Sequence, residues 1–82
     1  MKLVWTKQAI ADLNAAYGYI AETAPEAAEV IIERIERSLE SLQQFPEMGR
    51  LERVKETREL VIPRTPFILP YRVHKKRIEV LA

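Results

Sequence analysis

The first chemistry this 82-residue chain offers is arginine set in apolar strands. Arg58 stands in Thr57-Arg58-Glu59-Leu60-Val61-Ile62, and Arg72 in Ile68-Leu69-Pro70-Tyr71-Arg72-Val73. A mid-sheet arginine either pairs with a carboxylate of its own chain, here Glu59 or Glu79, or presents its planar fork to a partner's phosphate or carboxylate. His74 follows directly. It is either an inert turn residue or an acid/base group, because histidine alone titrates naturally near neutrality. Lys75, Lys76 and Arg77 complete a basic tip, either a solvated turn or a contact for nucleic acid or an acidic protein. Arg50 joins the candidates from a turn further upstream. Tyr71, Phe67 and Trp5 alternate with apolar residues and are expected in the core.

Other chemistries are missing. There is no glycine-rich phosphate loop, no HExxH, and no serine or cysteine nucleophile in a recognisable setting. The chain has no cysteine and one histidine, which excludes disulfides and leaves no set of zinc ligands. No cofactor is expected. No segment reaches the roughly 20 apolar residues of a membrane span, and none reads as a signal sequence, so a cytoplasmic protein with no membrane partner is expected. Net charge is +1 but unevenly placed. Residues 1–44 hold four basic against seven acidic residues, and residues 45–82 nine against five. The second half can therefore show a basic face. The excess is small for a protein that lives by gripping RNA.

The elements that must position these residues follow from periodicity. Leu3-Val4-Trp5 is a short strand, and Thr6 is a good N-cap. Ile10, Leu13, Tyr17 and Ile20 then recur at helical spacing, with Ala9 and Ala16 beside them, over about residues 7–22. Gly18 inside this helix suggests a close helix–helix contact. At the break, Thr23 and Glu26 have capping-box spacing; alternatively Ala24 is the cap and Pro25 the first helical residue. A second helix runs to about Gln44 with Ala28, Ile31, Ile35, Leu39 and Leu42 buried, Ile32 at the edge, and a wet face of Glu29, Glu33, Glu36, Arg37 and Glu40. Phe45 to Arg50 forms a turn. The charged stretch from Leu51 to Glu56 has no clear period. Strands follow at Thr57–Ile62, Phe67–Val73 and Arg77–Leu81, with His74-Lys75-Lys76 as the last turn. Pro70 calls for a bulge or an outward-facing position. The expected fold is α+β, in the order β-α-α-β-β-β: a helical hairpin packed on one face of a small, mainly antiparallel sheet, with the first strand joining beside the last ones.

Three runs, in this order and spacing, resemble the RelE/ParE superfamily of bacterial toxins: Phe45-Pro46-Glu47-Met48-Gly49-Arg50, Thr57-Arg58-Glu59-Leu60, and Ile68-Leu69-Pro70-Tyr71-Arg72-Val73. The opening Val4-Trp5-Thr6, then Ala11-Asp12-Leu13 and Tyr19-Ile20, extend the resemblance over nearly the whole chain. It implies the toxin of a type II toxin–antitoxin pair, neutralised by a cognate antitoxin. Operator DNA would be contacted only through that antitoxin. A homodimer or a hetero-oligomer with the antitoxin is compatible.

The superfamily divides in mechanism. RelE-like members cut messenger RNA in the ribosome; ParE-like members poison DNA gyrase and are not known as nucleases. Near-zero net charge, the absence of a lysine cluster before the second strand, and the wording of the FPxxGR and LPYRV runs point to the ParE-like branch. The expectation is therefore a protein-binding gyrase inhibitor rather than an enzyme, with a ribosome-dependent endoribonuclease as the alternative. Arg50, Arg58 and Arg72 carry over by motif, and none of them is assigned as catalytic by it. They join His74, Lys75, Lys76 and Arg77 as candidates for contact with target or antitoxin. The family's usual C-terminal tail, tied to toxicity, does not follow Leu81-Ala82. Residues 1–82 are thus read as one toxin domain without that tail, which also admits a truncated, non-toxic antitoxin-binding module.

Overall fold

Thr6 couples the start of the fold to its end. The computed structural model describes residues 1–54 and 56–82. Strand β1 (Lys2–Trp5) leads into helix α1 (Lys7–Thr23). The Thr6 hydroxyl accepts the Ala9 N–H at 3.0 Å, capping α1, and donates to the Leu81 carbonyl at 3.0 Å. Its own N–H donates to the Val80 carbonyl at 3.1 Å.

A single residue, Ala24, ends α1 and begins helix α2 (Pro25–Gln44). Pro25 occupies the first helical position, where its missing N–H costs nothing. Thr23 does not cap, because its hydroxyl points back to the Ile20 carbonyl. Of the two readings of this break, the proline one holds. Helix α2 buries Ala28, Ile35, Leu39 and Leu42, as its periodicity requires.

Helix α1 departs from expectation. Ile10 and Tyr17 are 48% and 41% exposed, and Ala9 is the buried residue. Its packed seam runs through Ala9, Leu13, Ala16 and Ile20, which fits a helical period equally well. The small alanines let the helix lie close, and its larger neighbours turn outward. Gly18 has nothing within 4 Å of the place a Cβ would take, so the expected close contact is absent. Gly18→Ala should then stabilise the chain by about 0.5–1 kcal/mol, the ordinary helix propensity difference, read as a higher urea midpoint with an unchanged slope.

The sheet has five strands in the order β1-β5-β4-β3-β2. They are completed by β2 (Arg50–Leu51), β3 (Thr57–Val61), β4 (Ile68–His74) and β5 (Arg77–Val80). β1 lies parallel to β5, and every other pairing is antiparallel. The two-residue β2 was not expected. Two residues show no period, and only the pairing of Arg50 with Glu59 and Leu51 with Arg58 defines it. The last turn is also tighter than expected. His74 is still in β4, opposite Arg77, and Lys75-Lys76 alone form the turn. Lys75 takes the left-handed backbone, φ 42°, that a glycine would usually supply.

Register sorts the side chains. Leu60, Ile62, Leu69, Tyr71, Ile78 and Val80 face the helices and form the core with Ile35, Leu39 and Leu42. Trp5 and Phe67 pack against this core, partly buried. The opposite face carries Lys2, Val4, Arg77, Glu79, Arg72 and His74, and no helix covers it. Pro70 causes no bulge, since β3 and β4 stay in register from Thr57–Arg72 to Val61–Ile68. Its carbonyl accepts the Leu81 N–H at 2.9 Å, so its missing donor faces β5 just beyond that strand's end.

Candidate functional site

The three sequence runs meet in one place. The chain leaves α2 at Phe45 and turns through Pro46 to Gly49. Tyr71, fully buried on β4, reaches this turn with its hydroxyl. The hydroxyl accepts the Gly49 N–H at 2.9 Å and donates to the Pro46 carbonyl at 2.7 Å. Burial pushes the Tyr71 phenol above its ordinary value, against the smaller opposing pull of the Gly49 N–H. Arg58 stands directly opposite Tyr71 across β3 and β4. Its Nη1 donates to the Glu47 carbonyl at 3.0 Å and the Gly49 carbonyl at 2.8 Å. Gly49 is glycine because a Cβ there would stand 2.5 Å from the Tyr71 hydroxyl and 2.8 Å from the Glu59 carbonyl. FPxxGR, TREL and LPYR thus describe a latch that folds the end of α2 onto the sheet.

The latch leaves apolar surface uncovered. Phe45, Met48 and Leu51 are 63%, 49% and 76% exposed. With Met1, Pro46, Val73 and the Arg58 side chain they line an open groove of about 560 Å³. The N-terminus is pinned at its rim, where the Met1 amino group donates to the Gln43 carbonyl and Gln43 Nε2 donates to the Met1 carbonyl, both at 3.0 Å. An exposed apolar cluster with a polar rim is the ordinary mark of a protein-binding surface. The sequence reading missed this groove. Phe45, Met48 and Leu51 lie outside both periodic patterns, and that isolation was the available signal.

The three motif arginines do not converge. Arg50 Nε pairs with Glu59 at 3.0 Å on the uncovered face. Arg58 sits on the helix-facing side and is committed to backbone carbonyls, so it forms neither of the expected ion pairs. Arg72 is on the uncovered face opposite Glu79, but the Glu79 carboxylate lies 3.3 Å from His74 Nε2 instead. Among the described residues Arg72 has no carboxylate partner, and its Nε is buried without a hydrogen bond. His74 is therefore not a free turn residue. It stands on a strand beside a carboxylate, with Lys75, Lys76 and Arg77 next to it.

Sequence and fold comparisons agree with this architecture. Residues 3–82 match the family model described as the ParE toxin of the type II toxin–antitoxin system parDE. The chain belongs to the ParE toxin family. Among the relatives of this ParE chain is the toxin Y4kP of Sinorhizobium fredii (strain NBRC 101917 / NGR234). It is 36% identical over 80 residues, covering 98% of this chain and 82% of the relative. Toxin RelE2 of Caulobacter vibrioides (strain ATCC 19089 / CIP 103742 / CB 15) is 36% identical over 72 residues, covering 88% and 80%. A solved structure of the chromosomal ParDE system from P. aeruginosa superposes with a TM-score of 0.85 at 37% identity, covering 99% of this chain and 90% of that one. As a ParE toxin, the chain carries the family's helical hairpin on a mostly antiparallel sheet. No helix among its described residues is long and apolar enough to cross a membrane.

Proposed function

We propose that this ParE-family toxin acts by binding protein, with DNA gyrase as its target and a cognate antitoxin as its inhibitor. One observation carries the preference for binding over catalysis: three of the four motif residues that could have done chemistry, Tyr71, Arg58 and Arg50, are spent on structure. Tyr71 and Arg58 hold the turn after α2, and Arg50 is paired with Glu59. The surface left over at that place is the apolar groove at Phe45, Met48 and Leu51, bordered by the edge strand β2. Such a groove beside a strand edge suits an extended or helical antitoxin segment.

The test is induction of the chain in a bacterial host without antitoxin, followed by growth and a DNA-damage reporter, with purified protein assayed on gyrase in parallel. Growth arrest with the reporter on, and inhibited supercoiling with trapped cleaved DNA, is the expected result. Arrest with gyrase untouched would sink the gyrase assignment.

A specific observation supports a second reading. The His74–Glu79 pair beside Arg72 places an acid/base group next to a cation on one face. That arrangement suits RNA cleavage, and new message ends in primer extension after induction would favour it over gyrase.

A further inference from the structure

The corner of the sheet where β4 turns into β5 gathers cations that neither the latch nor the groove uses. Register places Lys2, Arg77 and His74 side by side on β1, β5 and β4, on the face away from the helices. Neighbouring strands are about 4.8 Å apart, so this is a row of closely spaced basic groups. Lys75 and Lys76 project from the turn at the end of the row, and His74, Lys75, Lys76 and Arg77 line one shallow depression. Lys2, Lys75, Lys76 and Arg77 are all exposed. Arg72 stands one pair further along the same face, with its Nε unpartnered. The carboxylate among them is Glu79, held by His74. The main acidic surface lies elsewhere, along the wet side of α2 at Glu29, Glu33, Glu36 and Glu40.

We propose that this corner binds the phosphodiester backbone of duplex DNA without regard to sequence. What the corner lacks decides between polyanions. Protein docking sites are anchored by buried aromatic or large apolar side chains. The exposed large hydrophobics of this outer face, Val61 and Ile68, pair with each other at the opposite end of β3 and β4 from His74, and Met1, next to Lys2, lines the groove on the inner side, so none anchors the corner. Single-stranded nucleic acid is held by stacking on exposed aromatics, and the exposed aromatics here, Tyr17, Tyr19 and Phe45, are on α1 and at the end of α2. A flat row of lysine and arginine with neither anchor nor stacking ring matches phosphate contacts alone. Such contacts give weak binding with a steep salt dependence, about −0.9 in log–log slope for each phosphate neutralised. The inference stands apart from the gyrase assignment, since it concerns a different face and a different ligand.

The test uses the full chain and fluorescence anisotropy with two labelled duplexes of unrelated sequence across a salt series. Equal affinities for the two duplexes are expected, with a slope of about −3 for three or four contacts. Lys75→Glu with Lys76→Glu, at exposed turn positions, should weaken association at least tenfold. Lys7→Glu with Arg37→Glu imposes the same charge change away from the corner and should change it less than threefold. Equal losses in the two double variants, no binding at low salt, or tighter binding of a polyglutamate peptide or a single-stranded RNA of matched charge would each overturn the proposal.

Discussion

Gly49→Ala should cost about 3 kcal/mol of folding stability, a quarter or more of what a chain of this length has. The added methyl would lie 2.5 Å and 2.6 Å from the Tyr71 hydroxyl and Cε1, and 2.8 Å from the Glu59 carbonyl. None of these three atoms can easily give way. Tyr71 is buried and fixed by two hydrogen bonds, and Glu59 is backbone in the middle of β3. Overpacking of this kind costs about 1–3 kcal/mol, and displacing the tyrosine adds the cost of leaving the Gly49 N–H and Pro46 carbonyl unpaired. A chain of this length has a total stability of roughly 4–12 kcal/mol. Urea unfolding followed by circular dichroism measures the loss. The double variant Gly49→Ala, Tyr71→Phe separates the contributions. Removing the hydroxyl relieves one contact and leaves the other two, so the rescue should be partial. Full rescue would mean that the hydroxyl alone makes the site glycine-only, and a loss under 1 kcal/mol would mean that the turn is loose.

Tyr71→Ala should be comparably severe, about 3–5 kcal/mol, because it empties the middle of the core and unties the turn together. Tyr71→Phe keeps the ring and isolates the hydrogen bonds, and about 1–3 kcal/mol is expected for the two groups left unpaired. Tyr71→Phe should also differ from the native chain in pH dependence. The folded-state phenol titrates above its unfolded value, chiefly because it is buried. Its contribution is therefore complete below about pH 10 and is lost as pH rises through the higher folded-state value. The native chain should lose stability across that alkaline window, and Tyr71→Phe should show a smaller loss there. Parallel alkaline curves for the two proteins would mean that the phenol is not the group responsible.

Most of the scaffold was legible because its signals are periodic. The stripe Ala28, Ile35, Leu39 and Leu42 gave α2, and the alternation of Leu69 and Tyr71 gave β4 and its inward face. Thr6 and Pro25 marked helix starts by chemistry that does not depend on tertiary context. The misses share a cause. Helix α1 presents two stripes of similar period, and hydrophobicity favours Ile10 and Tyr17, whereas packing chose Ala9 because a close approach needs small residues. The pairing of β2 is a contact between short segments with no pattern inside either. At the site, residue type was readable and geometry was not. Arg58 and Arg72 look alike in sequence, each embedded in an apolar strand. They are separated by the direction of the pleat, which turns Arg58 toward the turn after α2 and Arg72 toward the uncovered face. Gly49 looked like a turn glycine, but its backbone needs no special freedom; the space beside it is what is missing.

The parallel pairing of β1 with β5 has a kinetic consequence. Its register joins residues 75 apart, as in Thr6 and Leu81, and β5 supplies two fully buried core residues, Ile78 and Val80. During synthesis the first strand emerges with no strand partner and waits until β5 follows, although α1 can already pack on α2. Sheets closed by such distant contacts form slowly, since the loop between them must be closed before any contact repays it. The newly made chain therefore passes through an interval in which it is complete in sequence and not yet competent. The cognate antitoxin proposed above would, during that interval, meet a folding intermediate rather than the folded toxin, and its action would then be a race between association and the closing of one strand pair.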